Sequence, residues 1–400
     1  MEKATLRNLK DIKDKRVFIR VDHNVPQDDK GKITDDTRIR ESLGTIRFCL
    51  EKGARVIVCT HLGRPKSKED TQYTVKPVVE NLKKKLEDFK ISFVDDCVGA
   101  KVEKAVKNLK GGELLYLENI RFYPEETAND ADFARELSKL CDYYVNDAFG
   151  AAHRAHASTA GIAAFVPAVA GFLMEKEIKI MTEAIEKPKR PLTIILGGKK
   201  IADKIGVIDN LMKRADNVLI GGGLVYTFTK ANGGEIGNSI VSDDHLEYCR
   251  AVMKNAKEHK INFVLGPDCI GGDKFSNDAS TRIFDTKNIR DGWEGMDLGP
   301  QTIELFKSYI AKSGTVIWCG SLGVSEIEKF ANGTHEIAKA MSIADAITIA
   351  GGGDTVSSIT ATGFGNGFTH LSTGGGASLE LLEGKTLPGV AALLNKDMEV

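Results

Sequence analysis

Short apolar runs alternate with segments of helical periodicity along the chain. Continuous apolar runs of four to eight residues are typical of strands that are buried on both faces. Their alternation with helical segments indicates a parallel sheet that carries helices on both sides. In the second half the runs end in glycine: PLTIILGG (191–198), NVLIGGG (217–223), INFVLGPD (261–268), TVIWCGS (315–321), AITIAGGGD (346–354) and THLSTGGGAS (369–378).

The first half has the same alternation, but polar and cationic side chains follow its strands. The pattern therefore predicts an α/β protein with two doubly wound, Rossmann-like parallel-sheet domains, joined by a helix and hinge. Ligands of such sheets bind at the carboxyl ends of the strands. The runs of the first half are RVFIRVDHN (16–24), ARVIVCTHLGR (54–64), KISFVDD (90–96), LLYLENIR (114–121) and YYVNDAF (143–149).

The segment GFLMEKEIKIMTEAIEK (171–187) has apolar residues at helical spacing, and Pro188 marks its end. We therefore divide the chain into a first domain over 1–170, a linking helix over 171–188 and a second domain over 189–385. The helix is either a lever for domain closure or a structural spacer.

Charge and composition limit the class of partner. The formal net charge of 400 residues is −1, so no broad basic field predicts binding to nucleic acid or to a membrane. The charged N-terminus lacks the apolar core of a signal peptide, and the longest uncharged stretch (157–174) is broken by Pro167. Seven cysteines without a CxxC pair fit reduced thiols. We expect a cytoplasmic protein without nucleic-acid or membrane partners.

The glycine corners predict phosphate binding. Glycines before a helix let backbone N–H groups converge on an anion, although tight strand-to-helix packing also favours glycine. In GGGDT, Asp354 and Thr355 add oxygen atoms suited to a Mg²⁺–nucleotide, while Asp354 could instead cap the following helix. Lys200 and Lys204, expected on one face of a helix, could neutralise a phosphoryl group in transfer or be solvated surface lysines.

Basic groups recur at the strand ends of the first half. If Arg38, His61, Arg64, Arg121 and Arg154 share one edge, they form a pocket for carboxylate or phosphate. His153 and His156 lack a third soft ligand, so we do not expect a metal there. No nucleophile or acid–base pair stands out. A carboxylate acceptor would need none, because it is already ionised at neutral pH.

Several blocks in this order resemble the phosphoglycerate kinase family over essentially the whole chain. The resemblance implies reversible phosphoryl transfer from 1,3-bisphosphoglycerate to Mg-ADP in glycolysis, giving 3-phosphoglycerate and ATP, in line and without a covalent enzyme intermediate. The matching blocks are RVDHNVP (20–26), THLGRP (60–65), LENIRF (117–122), NDAFGAAHRAHAST (146–159), LGGKKIADKI (196–205), GGGLVYTF (221–228), GGGDT (351–355) and STGGGASLELLEGK (372–385).

The resemblance also implies site residues and roles. Catalytic positions would be Arg38, Lys200, Gly352 and Gly375. The 3-phosphoglycerate site would comprise Asp22, Asn24, Arg38, His61, Leu62, Gly63, Arg64, Arg121 and Arg154. The nucleotide site would comprise Gly197, Lys200, Lys204, Gly221, Gly222, Gly295, Glu326 (at the ribose), Gly352, Gly353, Asp354 (with Mg²⁺, largely through the nucleotide) and Thr355.

The family further implies a monomer that closes at a hinge, with the 3-phosphoglycerate site in the first domain and the nucleotide in the second. It sends the C-terminal segment, here 386–400, back onto the first domain. Departures from the family pattern are His23, Lys199, Cys319, Ser321 and Ser325.

Two other classes of protein could also bind an anion between two domains. A solute-binding protein that closes on an anion would carry an export signal and would not need Lys200 beside several glycine corners. A catalytically idle homologue would be expected to lose Lys200 or Arg38, and both are present.

Overall fold

The computed structural model describes residues 2–398, so Met1 and the last two positions of the predicted C-terminal segment lie outside the described residues. The chain divides into two compact units. The first unit runs up to Lys179 and includes the segment from Thr386 onward, and the second unit is Ile180–Lys385.

The first unit contains a parallel sheet with helices between its strands. The strands are β1 Arg16–Val21, β2 Arg55–Cys59, β3 Ile91–Val94, β4 Leu114–Leu117, β5 Tyr143–Asp147 and β6 Ala168–Ala170. The helices are α1 Thr37–Glu51, α2 Lys76–Lys85, α3 Ala100–Asn108, α4 Pro124–Ala128 and α5 Ala131–Ser138. Helix α6, Phe172–Glu186, follows and contains the boundary between the two units. The sheet order is β3-β4-β2-β1-β5-β6, so β1 lies inside the sheet between β2 and β5.

The second unit repeats this architecture and adds small sheets. Its strands are β7 Leu192–Leu196, β8 Asn217–Ile220, β9 Glu235–Ile236, β10 Asn262–Leu265, β11 Asp268–Gly272, β12 Thr281–Asp285, β13 Asn288–Ile289, β14 Glu294–Leu298, β15 Thr315–Cys319, β16 Ile347–Gly351 and β17 His370–Leu371. Its helices are α7 Ile205–Leu211, α8 Leu224–Ala231, α9 Leu246–Glu258, α10 Pro300–Ile310, α11 Asn332–Ser342, α12 Gly353–Ala361 and α13 Gly376–Leu382. The main sheet has the order β10-β8-β7-β15-β16-β17.

Alternation of side chains along the strands explains why this sheet is covered on both faces. Along β7, Ile194 and Leu196 pack into one apolar cluster, whereas Ile195 packs into the other. Successive side chains of a strand point to opposite faces, so a continuously apolar strand needs a helix layer on each side. This arrangement confirms the predicted doubly wound sheet for the second unit.

The predicted runs and the observed strands agree closely, apart from β6 and the two small sheets. Every run named above contains a strand of a six-stranded parallel sheet. Strand β6 was not predicted because AVA lies in a small-residue stretch that has no strand signature. The antiparallel sheet β12-β11-β14 was also not predicted, since β12 is largely exposed and its sequence TRIFD lacks a continuous apolar run.

The segment after Lys385 hydrogen-bonds to the first unit. It contains helix α14, Pro388–Ala391. The Gly389 amide donates to the Ala152 carbonyl at 2.8 Å, and the Leu394 amide donates to the Ala168 carbonyl at 3.0 Å. Among the described residues, no helix has both the length and the apolar character needed to cross a membrane.

Candidate active site

The residues predicted to bind 3-phosphoglycerate lie along one edge of the first sheet. Asp22 and Asn24 follow β1, the segment 61–64 follows β2, Arg121 follows β4 and Arg154 lies beyond β5. Because β1, β2, β4 and β5 are parallel neighbours in the sheet, their carboxyl ends meet at the same edge. Arg38 reaches this edge from the first turn of α1.

Hydrogen bonds join three of these segments directly. Arg38 donates from Nη1 to Asp22 Oδ2 at 2.9 Å and to the Asn24 carbonyl at 3.3 Å. Asn24 in turn accepts the Gly63 amide at Oδ1, 2.8 Å away. The carboxylate of Asp22 is 8 % exposed, so the Arg38 guanidinium is held by a buried anion rather than by a flexible surface partner. This pairing fixes Arg38 at the edge of the sheet.

Arg121 carries a positive charge that forms no ion pair with a described residue. Its Nη1 donates to the Gly63 carbonyl at 2.8 Å, but its Nε is buried without a hydrogen-bond partner among the described residues. Burial lowers the pKa of Arg121 to about 10, and the charges of Arg20 and Arg154 act in the same direction, whereas two nearby carboxylates act in the opposite direction. A cation that is partly desolvated and lies near other cations is stabilised when an anion binds beside it.

A buried layer beneath the edge holds His61 in one tautomer. Arg20 is fully buried, and its Nη2 lies 3.1 Å from His61 Nδ1. Arginine can only donate, so Nδ1 is the acceptor and the His61 proton resides on Nε2. Burial, together with Arg20, holds the pKa of His61 well below its usual range. His61 is therefore a neutral donor at this edge.

Sequence reasoning missed Arg20 and its partners as part of the site. Arg20 Nε donates to Ser158 Oγ at 2.8 Å, and Glu126 accepts from the same Ser158 hydroxyl at 2.7 Å. Arg20 Nη2 lies 4.0 Å from Glu126 Oε1, and both side chains are fully buried. The available signal was an arginine inside the apolar run RVFIRV. Such a charge is rarely buried unless it is paired.

Arg64 and Arg154 lie at the surface of the same edge. Both are exposed, and Arg154 Nε donates to His153 Nε2 at 3.1 Å. Burial and nearby arginines lower the pKa of His156 to about 4, so it is neutral at physiological pH. The first unit thus presents guanidinium groups at its edge over a layer of neutral histidines.

In the second unit, the glycine corners after β7 and β8 donate their backbone amides to carbonyl groups of neighbouring strands and corners. The Gly197 amide donates to the Cys319 carbonyl at 2.9 Å, and the Gly198 amide to the Ser321 carbonyl at 2.8 Å. The Gly222 amide donates to the Leu322 carbonyl at 3.2 Å, and the Gly221 amide to β7. These glycines therefore shape the site by close packing. Their N–H groups are not free to bind an anion.

The corners after β16 and β17 differ, because their amides remain open. Gly352, at φ +97°, precedes α12, and Gly375, at φ +52°, precedes α13. Among the described residues, no acceptor binds the amides of Gly353, Asp354, Gly375 or Gly376. The Gly352 amide donates to Ser378 Oγ at 3.2 Å, which ties the two corners together. The N-termini of α12 and α13, which follow two neighbouring strands, therefore both present backbone N–H groups without a protein acceptor.

The two lysines do not share a helix face, so that expectation is wrong. Lys200 lies in extended backbone, a short 3₁₀ turn spans Ile201–Lys204, and α7 begins only at Ile205. The turn exposes Lys200 but buries Lys204, which is 9 % exposed and lies close to Gly198. Lys204 forms no ion pair or hydrogen bond with a described residue. A lysine this buried usually has a partner, and its absence favours an anion as the missing group.

The remaining predicted nucleotide residues fall into exposed and buried positions. Glu326 and Asp354 are exposed, while Thr355 is buried and accepts the Gly320 amide at Oγ1, 2.7 Å away. Gly295 lies inside β14, where its amide donates to Ser239 Oγ at 2.9 Å. A Cβ on Gly295 would lie 2.1 Å from the hydroxyl of Tyr226, so packing alone requires glycine there.

Two of the departures from the family pattern have a structural explanation. His23 is fully buried, with Nδ1 2.8 Å from Tyr116 Oη and Nε2 2.7 Å from Ser42 Oγ. Burial lowers its pKa to about 3, so His23 is a neutral ring inside the first unit. Ser325 shares a hydrogen bond of 2.9 Å with Ser358 on α12.

The donor set near α12 fits a metal that arrives with a nucleotide. Asp354 offers one exposed carboxylate, and residues 2–398 contain no group of three histidine, cysteine or acidic side chains able to hold a metal alone. Mg²⁺ prefers one or two carboxylates together with phosphate oxygens and water. The single carboxylate of Asp354 is consistent with that mode of binding.

Comparison with known proteins gives a single answer. The sequence profile described as Phosphoglycerate kinase matches residues 6–385. A phosphoglycerate kinase of Dictyoglomus turgidum is 51 % identical over 99 % of this chain and 100 % of its own length. One of Fervidobacterium nodosum is 48 % identical over 99 % of both chains. The structure of phosphoglycerate kinase from Coxiella burnetii superposes with a TM-score of 0.88 at 36 % identity, covering 98 % of each chain. The chain belongs to the phosphoglycerate kinase family.

Proposed function

We propose that this chain is a glycolytic phosphoglycerate kinase that transfers a phosphoryl group reversibly between 1,3-bisphosphoglycerate and Mg-ADP. Family membership and the chemistry of both sheet edges support this activity. One observation carries the assignment of sites: each unit has a cation that forms no ion pair with a described residue, the half-buried Arg121 in the first and the buried Lys204 in the second. Each unit is therefore suited to one anionic substrate.

In the first unit, 3-phosphoglycerate binds along the edge formed by Asp22, Asn24, His61–Arg64 and the arginines. Arg121 and Arg154 hold its phosphate, because guanidinium groups bind phosphate oxygens in a planar, bidentate manner. Arg38 faces the reacting carboxyl group, oriented by Asp22 at 2.9 Å. The neutral His61 donates from Nε2 without adding a charge that could titrate near neutral pH.

In the second unit, the nucleotide phosphates bind the open amides at Gly353 and Gly375 together with Lys204. Lys200 is exposed and accompanies the transferring phosphoryl group. Asp354 would be the protein ligand of a Mg²⁺ bound with the nucleotide, and Glu326 would lie near the ribose. Transfer between the two bound substrates needs no covalent intermediate, since the acceptor carboxylate is ionised at neutral pH. Hinge closure stays a prediction.

The proposal extends to the setting of the enzyme. The chain acts in the cytoplasm as a monomer, with 3-phosphoglycerate or 1,3-bisphosphoglycerate and ATP or ADP as its partners. Cysteine usage supports this setting, because all seven thiols are buried and free, as expected of a reducing compartment.

An assay with ATP and 3-phosphoglycerate tests the activity, with acyl phosphate formation as the readout. Lys200→Ala should lower kcat about 100-fold, because it removes a charge that acts on the phosphoryl group in transfer. Lys213→Ala changes an exposed lysine of the same unit and should leave kcat unchanged. If Lys200→Ala kept the full kcat, Lys200 would not be the residue that acts on the phosphoryl group in transfer.

Arg154→Ala probes the other unit in the same assay. It should raise KM for 3-phosphoglycerate and leave nucleotide binding unchanged in calorimetry. Loss of nucleotide affinity alone would contradict the division of substrates between the units. A wild-type enzyme that forms no acyl phosphate would contradict the activity itself.

A further inference from the structure

The segment between β2 and α2 carries Leu62, Gly63 and Arg64, and one side chain from the turn after β4 joins its ends. Asn119, fully buried, lies two residues beyond the end of β4. Its Nδ2 donates to the Leu62 carbonyl at 2.7 Å and to the Tyr73 carbonyl at 2.9 Å. Its Oδ1 accepts the Leu62 amide at 3.2 Å. The carboxamide therefore joins the two ends of the segment 62–73.

The same carboxamide also sets the position of Arg121. Oδ1 of Asn119 accepts the Arg121 amide at 3.1 Å, which caps the 3₁₀ turn Ile120–Phe122. Both donors and both acceptor positions of the amide are then in use. Arg121 Nη1 also donates to the Gly63 carbonyl. The arginine and the segment 62–73 are therefore held in a fixed relative position by the same group of hydrogen bonds. Any shift of Asn119 moves both.

Glu118 fixes the exit of this segment into α2. Its Oε1 accepts the Val75 amide at 2.8 Å, and its Oε2 accepts the Thr74 hydroxyl at 2.7 Å. Glu118 is 7 % exposed, so these bonds replace water around a buried carboxylate. Glu118 and Asn119 together hold the segment from Leu62 to Val75 by its ends, while Arg64 remains exposed.

The close approach of Gly63 to Tyr73 restricts movement within the segment 62–73. Gly63 has φ +61°, and a Cβ there would lie 2.3 Å from the ring of Tyr73. The Tyr73 carbonyl is one of the groups that Asn119 binds. The turn at Gly63 and the end of the segment therefore pack against each other and cannot shift independently.

We infer that Asn119 is a positioning residue for 3-phosphoglycerate binding, with Glu118 and Thr74 as its support. It does not touch the substrate; it keeps Gly63, Arg64 and Arg121 in one arrangement. This inference rests on the proposed function, because it assumes that these groups bind that substrate.

Asn119→Asp tests the role with little change in shape. The substitution replaces the Nδ2 donor by a carboxylate oxygen that faces two carbonyl oxygens, so the ends of the segment are pushed apart. We expect KM for 3-phosphoglycerate to rise about tenfold or more, since the two hydrogen bonds that Nδ2 donates are lost. KM for ATP should stay within about twofold.

Asn217→Asp is the matched control. Asn217 is a 7 % exposed residue at the start of β8, in the second unit. Its Nδ2 donates to Thr193 Oγ1 at 2.9 Å, and its Oδ1 accepts from Asn262 at 2.7 Å. Its substitution should lower the melting temperature without changing KM for 3-phosphoglycerate. A purely structural role for Asn119 predicts the same result for both variants and would overturn the inference.

Thr74→Val provides a milder test that keeps the chain folded. It removes only the hydroxyl that binds Glu118, and we expect KM for 3-phosphoglycerate to rise at least about threefold. If Asn119→Asp does not fold and Thr74→Val has an unchanged KM, the inference is wrong. A wild-type enzyme without activity on 3-phosphoglycerate would instead contradict the proposed function.

Discussion

A buried lysine without a partner destabilises a folded chain unless a ligand supplies the missing charge. Lys204 is 9 % exposed and has no counter-ion among the described residues. Lys204→Met keeps the length of the side chain and removes the charge, so we expect the ligand-free protein to become more stable. Nucleotide affinity should fall at least about tenfold in calorimetry, because one phosphate contact is lost.

The exposed Lys213 supplies the control for this prediction. Lys213→Met alters a solvated charge in the same unit and should leave both the melting temperature and the nucleotide affinity unchanged. A Lys204→Met protein that is less stable without ligand and binds nucleotide normally would identify Lys204 as a structural residue.

Asp297 gives the second unit a pH-dependent stability. Burial raises its pKa to about 7, although the amides of Gly333 and Leu298 donate to it and act in the opposite direction. The unfolded carboxyl titrates near its ordinary value of about 3.9. Between these values the folded state binds more protons than the unfolded state, so the free energy of unfolding falls as pH rises.

Asp297→Asn tests this dependence, because an amide does not titrate. Thermal unfolding followed from about pH 5 to pH 8 should lose stability less steeply in the variant than in the wild type. Asp147, whose pKa is raised to about 6 by burial, keeps part of the slope in both proteins. Identical slopes would mean that Asp297 is ionised throughout this range.

At the residue scale, the sequence predicts which side chains bind phosphate better than it predicts which of them are buried. It identifies Lys200 and Lys204 as phosphate-binding candidates, but it does not show that one is exposed and the other buried. That difference depends on Gly198 and on the short 3₁₀ turn before α7. Arg20 is the converse case: its partners Glu126 and Ser158 are distant in sequence, so no local pattern reveals the network.

At the scale of the elements, the second unit contains glycines that packing requires and glycines that only a bound ligand would require. Gly222 has φ +58°, and a Cβ there would lie 2.5 Å from the Ser321 carbonyl oxygen. Gly353 has no atom within 4 Å of its Cβ position. Sequence alone treats both as parts of a GGG corner, because the contact at Gly222 comes from the end of β15, far away in the chain.

Paired alanine substitutions distinguish these two kinds of glycine. Gly222→Ala should lower the stability of the second unit by about 1–3 kcal/mol, as overpacking and a left-handed backbone both oppose it. Gly353→Ala should leave stability within about 0.5 kcal/mol but weaken nucleotide binding, since a methyl group would occupy the approach to open amides. Thermal unfolding and calorimetry measure the two effects. Unchanged nucleotide affinity in Gly353→Ala would contradict a phosphate at α12.

At the scale of the whole molecule, the last residues of the chain belong to the unit that contains the first residues. Leu387 and Leu393 are 2 % and 3 % exposed, and Asn146 donates to the Gly389 carbonyl at 3.1 Å. Leu394 packs against the apolar cluster of the first unit. Burial of a leucine contributes up to about 1.5–3 kcal/mol, a large part of the 5–15 kcal/mol that stabilises a typical domain. A segment that follows the second unit in sequence therefore completes the core of the first.

A chain that ends at Lys385 tests this dependence. We expect its first unit to unfold at a lower temperature and to lose 3-phosphoglycerate affinity, because Asn146 in β5 and Ala152 beyond it lose their partners. Nucleotide affinity should stay within about twofold, since the second unit is Ile180–Lys385. A chain that ends at Asn395 keeps Leu387, Gly389 and Leu393 and serves as the control. If the shorter chain binds 3-phosphoglycerate normally, or loses nucleotide affinity to the same extent, the C-terminal segment does not support the first unit selectively.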